Sequence, residues 1–220
     1  MSTLTIYQWV TSCSAEKIRR ALHHKKIAHE TVNIDWFERS KLVELSGQTL
    51  VPIIKHGDQV IGPRTMKIMD YLEEKFPGPT LYPNDSRALC WMIDEYVESL
   101  LVMGCSAFLP AISAMIKEPE KRAAWEKDVV RITGRSTDAL VKGYSSLMDQ
   151  YGVHLRLWDS HFAKRKYFLG DEMSAADHSL YSNYWFQNNN PEWAAMVNSL
   201  KLPNLGAWAD RMKSFLFTKI

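Results

Sequence analysis

The chain has 220 residues, of which 46% are hydrophobic and 24% charged, so it can bury one large core or two small ones. Its formal net charge is only +2 and its basic residues are scattered, which argues against a surface for nucleic acid or for an anionic membrane. Its three cysteines are too few and too far apart for a disulfide framework, which predicts a reduced, cytoplasmic protein.

Strand-like and helix-like segments alternate in the first part of the chain. Leu4 to Val10 and His29 to Asp35 are β-prone, and between them apolar residues recur at helical spacing. A short helix at Glu38 to Ser46, a hairpin around Gly57–Asp58 and a helix from Thr65 to Phe76 follow. The predicted order is therefore βαβ and then ββα.

The rest of the chain carries no strand signal. Asp85 to Ile116 and Glu118 to Gln150 are helical in pattern, the pattern continues to Arg165, and two more helices are predicted after it. A stretch with prolines and a glycine separates the two parts of the chain and marks a boundary. We therefore predict a first domain at residues 1–78, a linker at 79–84 and an all-helical domain at 85–220.

The sequence argues against a membrane-spanning protein and against a metal-binding protein. The uncharged run from Ser99 to Ile116 contains glycine, serines and a proline, and a membrane span usually needs about 20 strongly apolar residues, so we expect a buried helix there. The seven histidines show no ligand spacing, and neither HExxH nor CxxC occurs, so no metal site is predicted.

The stretch TSCSAEKIRRAL, Thr11 to Leu22, places three small nucleophile-type side chains at the start of a predicted helix. Unpaired N–H groups and the positive end of the helix dipole stabilise a thiolate at such a position. Ser12 could cap the helix or donate a hydrogen bond to a bound thiolate, whereas Cys13 could itself be a nucleophile. Ser14 is expected to serve the first N–H groups of the helix.

Two further stretches stand out. Pro52 in LVPII opens a β-prone run. Two explanations are open: a cis Val51–Pro52 bond that turns the Val51 backbone toward a ligand, or an ordinary proline in an edge strand. In GDEMSAADHSLY, Ser174 and Asp177 have the spacing of a capping box, in which each side chain bonds the backbone N–H of the other residue. We expect that second motif to be structural.

In order and spacing, these stretches resemble the cytosolic glutathione transferase superfamily over essentially the whole chain. SCSAEKIRRAL is similar to the family's S/C-P-x-x-x-K-V-R-x-x-L opening, with Cys13 in place of the proline. GQTLVPII is similar to its cis-proline motif, RTMKIMDYL to its E/D/Q-S-x-x-I-x-x-Y-L segment, GDEMSAAD to its G-x-x-x-S-x-A-D box and LPNLGAWADRM to its last helix. The resemblance implies a thioredoxin-like α/β domain with a mixed four-stranded sheet, followed by an all-α helical bundle.

The resemblance also implies a glutathione site in the first domain. Ser12 falls where the family places its catalytic serine or cysteine. Val51, before Pro52, falls where a backbone pairs with the cysteinyl part of glutathione. Arg64 and Thr65 fall on the acidic residue and the serine that hold the γ-glutamyl end.

The helical domain is expected to build a pocket for a small hydrophobic electrophile, which Trp9 and Trp36 would touch from the first domain. The other tryptophans, Trp125 among them, are interpreted as core or rim residues. The basic side chains Lys17, Arg19 and Arg20 are interpreted as a solvated helix face.

Three functions remain open at this point. The leading prediction is a glutathione transferase of detoxification type, in which Ser12 donates to the glutathione thiolate, and which forms a homodimer without nucleic acid, membrane or metal. The second is a glutathione-dependent thiol–disulfide oxidoreductase that uses Cys13, although a redox CxxC is missing. The third is a non-catalytic member that binds a ligand or partner, which is favoured by Leu50 and Arg64, since both depart from the family pattern.

Overall fold

The structure is a computed structural model that describes residues 3–105, 108–188 and 190–213. A mixed four-stranded sheet forms the centre of the N-terminal domain, with the strand order β2-β1-β3-β4. β1 runs parallel to β2 and antiparallel to β3, which pairs with β4 in a hairpin. The strands are β1 (Leu4–Gln8), β2 (His29–Asn33), β3 (Ile53–His56) and β4 (Gln59–Ile61). The predicted α/β fold is therefore confirmed.

Three helices accompany the sheet: α1 (Cys13–His24), α2 (Ser40–Ser46) and α3 (Thr65–Lys75). α1 makes the crossover that a parallel β1–β2 pair requires. Ile18 of α1 and Met69 of α3 are fully buried in one core with Ile6 and Ile54 of the sheet. The apolar periodicity of the first helix is explained by this packing.

The remainder of the described chain is largely helical, as predicted. Its helices are α4 (Arg87–Ser99), α5 (Leu101–Cys105), α6 (Phe108–Met115), α7 (Pro119–Thr133), α8 (Thr137–Phe162), α9 (Ala175–Asn188), α10 (Pro191–Ser199) and α11 (Pro203–Lys213). The run expected to form one buried helix is divided among α4, α5 and α6. Within the described ranges, no helix is both long and apolar enough to cross a membrane.

Two further helix breaks were not predicted. Residues 118–150 do not form one helix, because Gly134 ends α7 in a left-handed conformation and the Ser136 side chain caps α8. Three helices, not two, follow α8 in the described chain, because Asn190 accepts hydrogen bonds from the backbone of Glu192 and Trp193 and so starts α10. Both breaks therefore arise from common interactions that terminate or cap helices.

The Ser174–Asp177 box forms at the start of α9, with one difference from the prediction. The Ser174 N–H donates to the Asp177 carboxylate at 3.0 Å, as expected, but the Ser174 hydroxyl also donates to that carboxylate, at 2.9 Å, instead of accepting from the Asp177 N–H. Asp177 is fully buried and also accepts from the Phe168 N–H and the Trp208 indole. The box therefore fixes the preceding loop and α11 as well as α9.

The expectation of a solvated basic face on α1 is wrong for Lys17 and Arg20. Their exposed fractions are 1% and 2%, because this face of α1 packs against α9 and lies near α4. Arg20 pairs with Glu16, donates to the Met212 carbonyl at 2.7 Å and lies over the Tyr181 ring. The buried charges are tolerated because they have partners.

Candidate active site

A cleft of about 620 Å³ lies between the N-terminal sheet and the helices that follow it. One side of the cleft is formed by the segments after β1 and β2, the start of α1 and the segments before Pro52 and α3. The other side is formed by residues of α5, α6, α7 and α9 and by Ile116, just after α6. Of the described residues that line the cleft, Arg64 alone carries a charge. These residues are Trp9, Thr11, Ser12, Cys13, Ser14, Trp36, Phe37, Leu50, Val51, Pro63, Arg64, Leu101, Phe108, Leu109, Ile112, Ile116, Trp125, Ile132 and Phe186.

Ser12 is the N-cap of α1 and, together with Thr11 and Ser14, forms the polar end of this cleft. Its hydroxyl oxygen accepts a hydrogen bond from the Ala15 N–H at 3.2 Å, and its own N–H donates to the Trp9 carbonyl at 3.1 Å. Ser12 therefore caps α1, which is one of the two roles considered for it. A hydroxyl that accepts from its own helix keeps its proton for a second partner, and an anion is favoured at this end of the helix dipole.

Cys13 is the first residue of α1 and also lines the cleft. Burial raises the pKa of the Cys13 thiol to about 11, and the Glu98 carboxylate adds to this effect, while Lys17 opposes it. A thiol with this pKa is protonated at neutral pH and is a poor nucleophile. Its position at a helix N-terminus is therefore not enough to activate it.

The Val51–Pro52 peptide bond is cis, and both residues are buried beside the cleft. Val51 lies before the first paired residue of β3, so its backbone is outside the sheet ladder. Gly62, just after β4, has φ +143°, and a Cβ there would lie 2.5 Å from the Pro52 carbonyl oxygen. Gly62 thus lets the end of β4 approach Pro52, and the following Gly62–Pro63 bond is also cis.

Arg64 and Thr65 stand at the start of α3, next to the same end of the cleft. The Arg64 side chain is half exposed, pairs with Glu95 of α4 and lies 5.3 Å from the Trp91 ring centre. Thr65 is buried, and its hydroxyl oxygen accepts from the Lys17 ammonium at 3.2 Å. The N-cap residue Arg64 makes no side-chain cap hydrogen bond to α3, so the first N–H groups of this helix can serve a carboxylate.

Sequence reasoning missed the contacts of Lys17. Besides Thr65, the Lys17 ammonium contacts Asp94 and, at 2.8 Å, Glu98, both in α4. Burial acts to lower the pKa of Lys17, but the two carboxylates raise it above its ordinary value. Ser179 of α9 donates to Asp94 at 2.7 Å. This buried cluster joins α1, α3, α4 and α9 directly behind the two helix starts, and no local pattern could reveal partners so distant in sequence.

Trp9 and Trp36 both line the cleft, and their ring centres lie 4.0 Å apart. Trp125, interpreted from the sequence as core or rim, lines it too, with its ring centre 4.6 Å from that of Trp36. The Trp125 indole N–H donates to the Leu109 carbonyl, which fixes the ring. In the described part of the chain, no group of three or more His, Cys, Asp or Glu side chains could hold a metal ion.

Comparisons with known proteins find glutathione S-transferases. Residues 6–80 match the family model "Glutathione S-transferase, N-terminal domain". The chain is 29% identical to Glutathione S-transferase 1 of Dianthus caryophyllus over 181 residues, which is 79% of this chain and 72% of that protein. It is 25% identical to a probable glutathione S-transferase of Solanum tuberosum, over 89% of this chain and 79% of that protein.

Solved structures share the fold along nearly the whole chain. The β-etherase LigF of Sphingobium sp. strain SYK-6 superposes with a TM-score of 0.73 at 22% identity, covering 96% of this chain and 95% of that one. A glutathione S-transferase of Ceriporiopsis subvermispora, crystallised in complex with glutathione, superposes with a TM-score of 0.79 at 15% identity and covers 99% of both chains. At these identities the likeness shows the fold alone.

Proposed function

We propose that this chain, which belongs to the glutathione S-transferase superfamily, is a glutathione transferase that activates the glutathione thiol with Ser12 for attack on a small hydrophobic electrophile. The observation that carries the proposal is the position of Ser12. Its hydroxyl caps α1 at the polar end of a cleft that is otherwise apolar. A hydroxyl proton and a helix N-terminus there both favour a thiolate over a thiol.

The rest of glutathione would lie along the same edge of the N-terminal domain. The backbone of Val51, beside Pro52, supports the cysteinyl part. The uncapped start of α3, with the Thr65 hydroxyl, supports the γ-glutamyl carboxylate. Arg64 can also bind this carboxylate but would repel the neighbouring ammonium, and Glu95, which pairs with Arg64, supplies a compensating negative charge.

In the proposed reaction the sulfur of glutathione forms a bond to the electrophilic carbon. The electron pair displaced from that carbon leaves with a leaving group or, in an addition, is protonated by solvent. The thiol proton of glutathione passes to solvent, and Ser12 stabilises the resulting thiolate by a hydrogen bond before the attack. Such conjugation would serve detoxification in the cytoplasm, with glutathione as co-substrate.

The oxidoreductase alternative is disfavoured by the high pKa of the Cys13 thiol. Cleavage of aryl ethers is a second candidate, because LigF, which shares this fold, is named a β-etherase and because three tryptophans line the cleft. The same thiolate would attack the carbon that bears the aryloxy group, the C–O bond would break, and the aryloxide would leave with the electron pair. Release of a phenol from a β-aryl ether in the presence of glutathione would test this candidate.

We also propose a homodimer in which α4 forms part of a two-fold contact. Leu89 and Met92 project from α4 with 46% and 70% of their surface exposed. By contrast, Ile112 and Ile116, from the apolar run at residues 99–116, line the cleft. Isologous contacts are the usual way to cover such a helix face. Sedimentation at micromolar concentration should show a dimer that Met92→Glu dissociates, while the control Val141→Glu on α8 does not; a wild-type monomer would reject this.

Calorimetric titration with glutathione tests the proposed site. The wild type should bind glutathione. Although the family has an acidic residue at this position, Arg64→Glu should weaken binding here, because the new carboxylate would lie beside Glu95 and face the γ-glutamyl carboxylate. The matched control is Arg87→Glu, since Arg87 lies on α4, near the Trp91 ring but outside the cleft lining. No binding by the wild type, or binding only by Arg64→Glu, would overturn the proposal in favour of a non-catalytic member with a decayed site.

A further inference from the structure

Three indole rings from separate segments form one wall of the cleft, here called the tryptophan wall: Trp9 after β1, Trp36 after β2 and Trp125 in α7. Trp36 is central, because its ring centre lies 4.0 Å from that of Trp9 and 4.6 Å from that of Trp125. Rings at these distances are in direct van der Waals contact. The wall therefore spans the cleft from the sheet side to the helical side.

Arg39 holds Trp36 in this position. Its guanidinium lies 4.7 Å from the Trp36 ring centre and 5.1 Å from that of Trp9, and its Nε donates to the Trp36 carbonyl at 2.6 Å. Its Nη2 donates to Asp128 at 2.6 Å, and both side chains are mostly buried. Asp128 lies three residues after Trp125 on the same face of α7. The ion pair thus fixes the loop that carries Trp36 against the helix that carries Trp125.

The cleft also contains the rings of Phe108 and Phe186, whose centres lie 4.6 Å apart. Arg64 supplies the single charge among the described lining residues, and it lies at the end next to α3. A ligand beside the tryptophan wall would therefore meet aromatic rings and no charged lining residue, because Arg39 packs against these rings without lining the cleft. Such a surface gains more from a flat aromatic ring than from a puckered ring of equal carbon number, because aromatic pairs are stabilised beyond the area they bury.

We propose that the tryptophan wall makes this protein select planar aromatic second substrates over alicyclic ones with the same carbon skeleton, with Arg39 and Asp128 as positioning residues for Trp36. This inference rests on the proposed function and names the substrate class of its pocket. The stabilisation of an aromatic pair beyond its buried area corresponds to a preference of about two- to tenfold.

A matched pair of electrophiles isolates this preference: benzyl isothiocyanate and cyclohexylmethyl isothiocyanate carry the same reactive group. The glutathione sulfur adds to the central carbon of N=C=S, the C=N π bond breaks, and nitrogen takes a proton from solvent. After correction for the uncatalysed rates, kcat/KM should favour the benzyl compound. Trp36→Leu should bring the ratio of the two kcat/KM values close to one, whereas Trp36→Phe should keep most of the preference for the benzyl compound.

The positioning role has its own variant. Asp128→Asn should lower the aromatic-to-alicyclic ratio while calorimetric affinity for glutathione stays constant, because Asp128 touches the tryptophan wall through Arg39 and not the polar end of the cleft. Asp149→Asn, an exposed change on α8, is the control and should leave the ratio unchanged. A merely structural role of Asp128 would lower both rates equally and would contradict the positioning role.

Binding of unreactive ligands separates this inference from the proposed function. Calorimetry without glutathione should show tighter binding of 2-naphthol than of decahydro-2-naphthol, and Trp36→Leu should remove the difference. If glutathione fails to bind but this preference is present, the proposed function is wrong and the aromatic binding site is supported. Equal affinities for the two alcohols, or a preference that survives Trp36→Leu, would overturn the inference.

Discussion

The ammonium of Lys17 donates to the hydroxyl oxygen of Thr65 over 3.2 Å, and so joins the start of α1 to the start of α3 inside the molecule. Asp94 and Glu98 complete the cluster from α4. Because breaking a buried ion pair leaves an uncompensated charge, Lys17→Met should lower the free energy of unfolding by about 3–5 kcal/mol. Urea unfolding measures this, with Lys67→Met on the exposed face of α3 as the control. A loss no larger than that of the control would contradict the account.

The two imidazoles of His24 and His178 predict a loss of stability in acid. Their Nδ1 and Nε2 atoms lie 2.9 Å apart between α1 and α9, so one ring donates and the other accepts. Burial lowers the pKa of His24 to about 4, with a further effect from Lys25, and burial lowers the pKa of His178 well below its usual value. In the unfolded chain both groups would titrate at about 6.5.

The folded pKa values lie below the unfolded ones, so the unfolded chain binds more protons once the pH falls below about 6.5. Stability is therefore full above this pH and should fall by about 1.4 kcal/mol per pH unit between pH 6.5 and about 4 because of His24, and His178 should add a loss in the same direction. His24→Asn should reduce the slope, whereas the exposed control His29→Asn should not. The free energy of unfolding against pH measures both, and an unchanged slope in His24→Asn would refute the assignment.

The Cys13 thiol should be unreactive near neutral pH. Since burial raises its pKa to about 11, the fraction of thiolate should rise about tenfold per pH unit up to that value. Alkylation of native protein by iodoacetamide, followed at the Cys13 peptide by mass spectrometry, should show this profile, with Cys13→Ala as the blank. Rapid labelling at pH 7 would instead support the oxidoreductase alternative.

Local signals explain what could be predicted from the sequence. The strands and α1 could be predicted because they depend on the spacing of apolar residues and on a capping side chain only a few residues from the N–H group that it bonds. The contacts of Lys17 could not be predicted, because Asp94 and Glu98 lie 77 and 81 residues away. Likewise, the helical pattern around Trp125 does not show that one face of α7 borders a cleft.

The capping box predicts a stability effect without a catalytic one. Ser174→Ala removes the hydroxyl that donates to the Asp177 carboxylate, and a hydrogen bond to a charged group contributes about 1.5–3 kcal/mol. The melting temperature should fall while activity per folded molecule holds. The matched control is Ser145→Ala, an exposed change in the middle of α8. Equal melting temperatures for the two variants would mean that the Ser174 hydroxyl contributes nothing.

The pKa of bound glutathione tests the central claim most directly. Ser12→Ala removes one donor to the thiolate, and loss of such a donor costs up to about 10²–10³ in rate, or less where solvent reaches the sulfur. Thiolate absorbance against pH should therefore show a higher pKa for glutathione bound to Ser12→Ala, with slower conjugation, whereas Cys13→Ala should change neither. If Cys13→Ala abolishes activity and Ser12→Ala leaves both the pKa and the rate intact, the assignment of Ser12 is wrong.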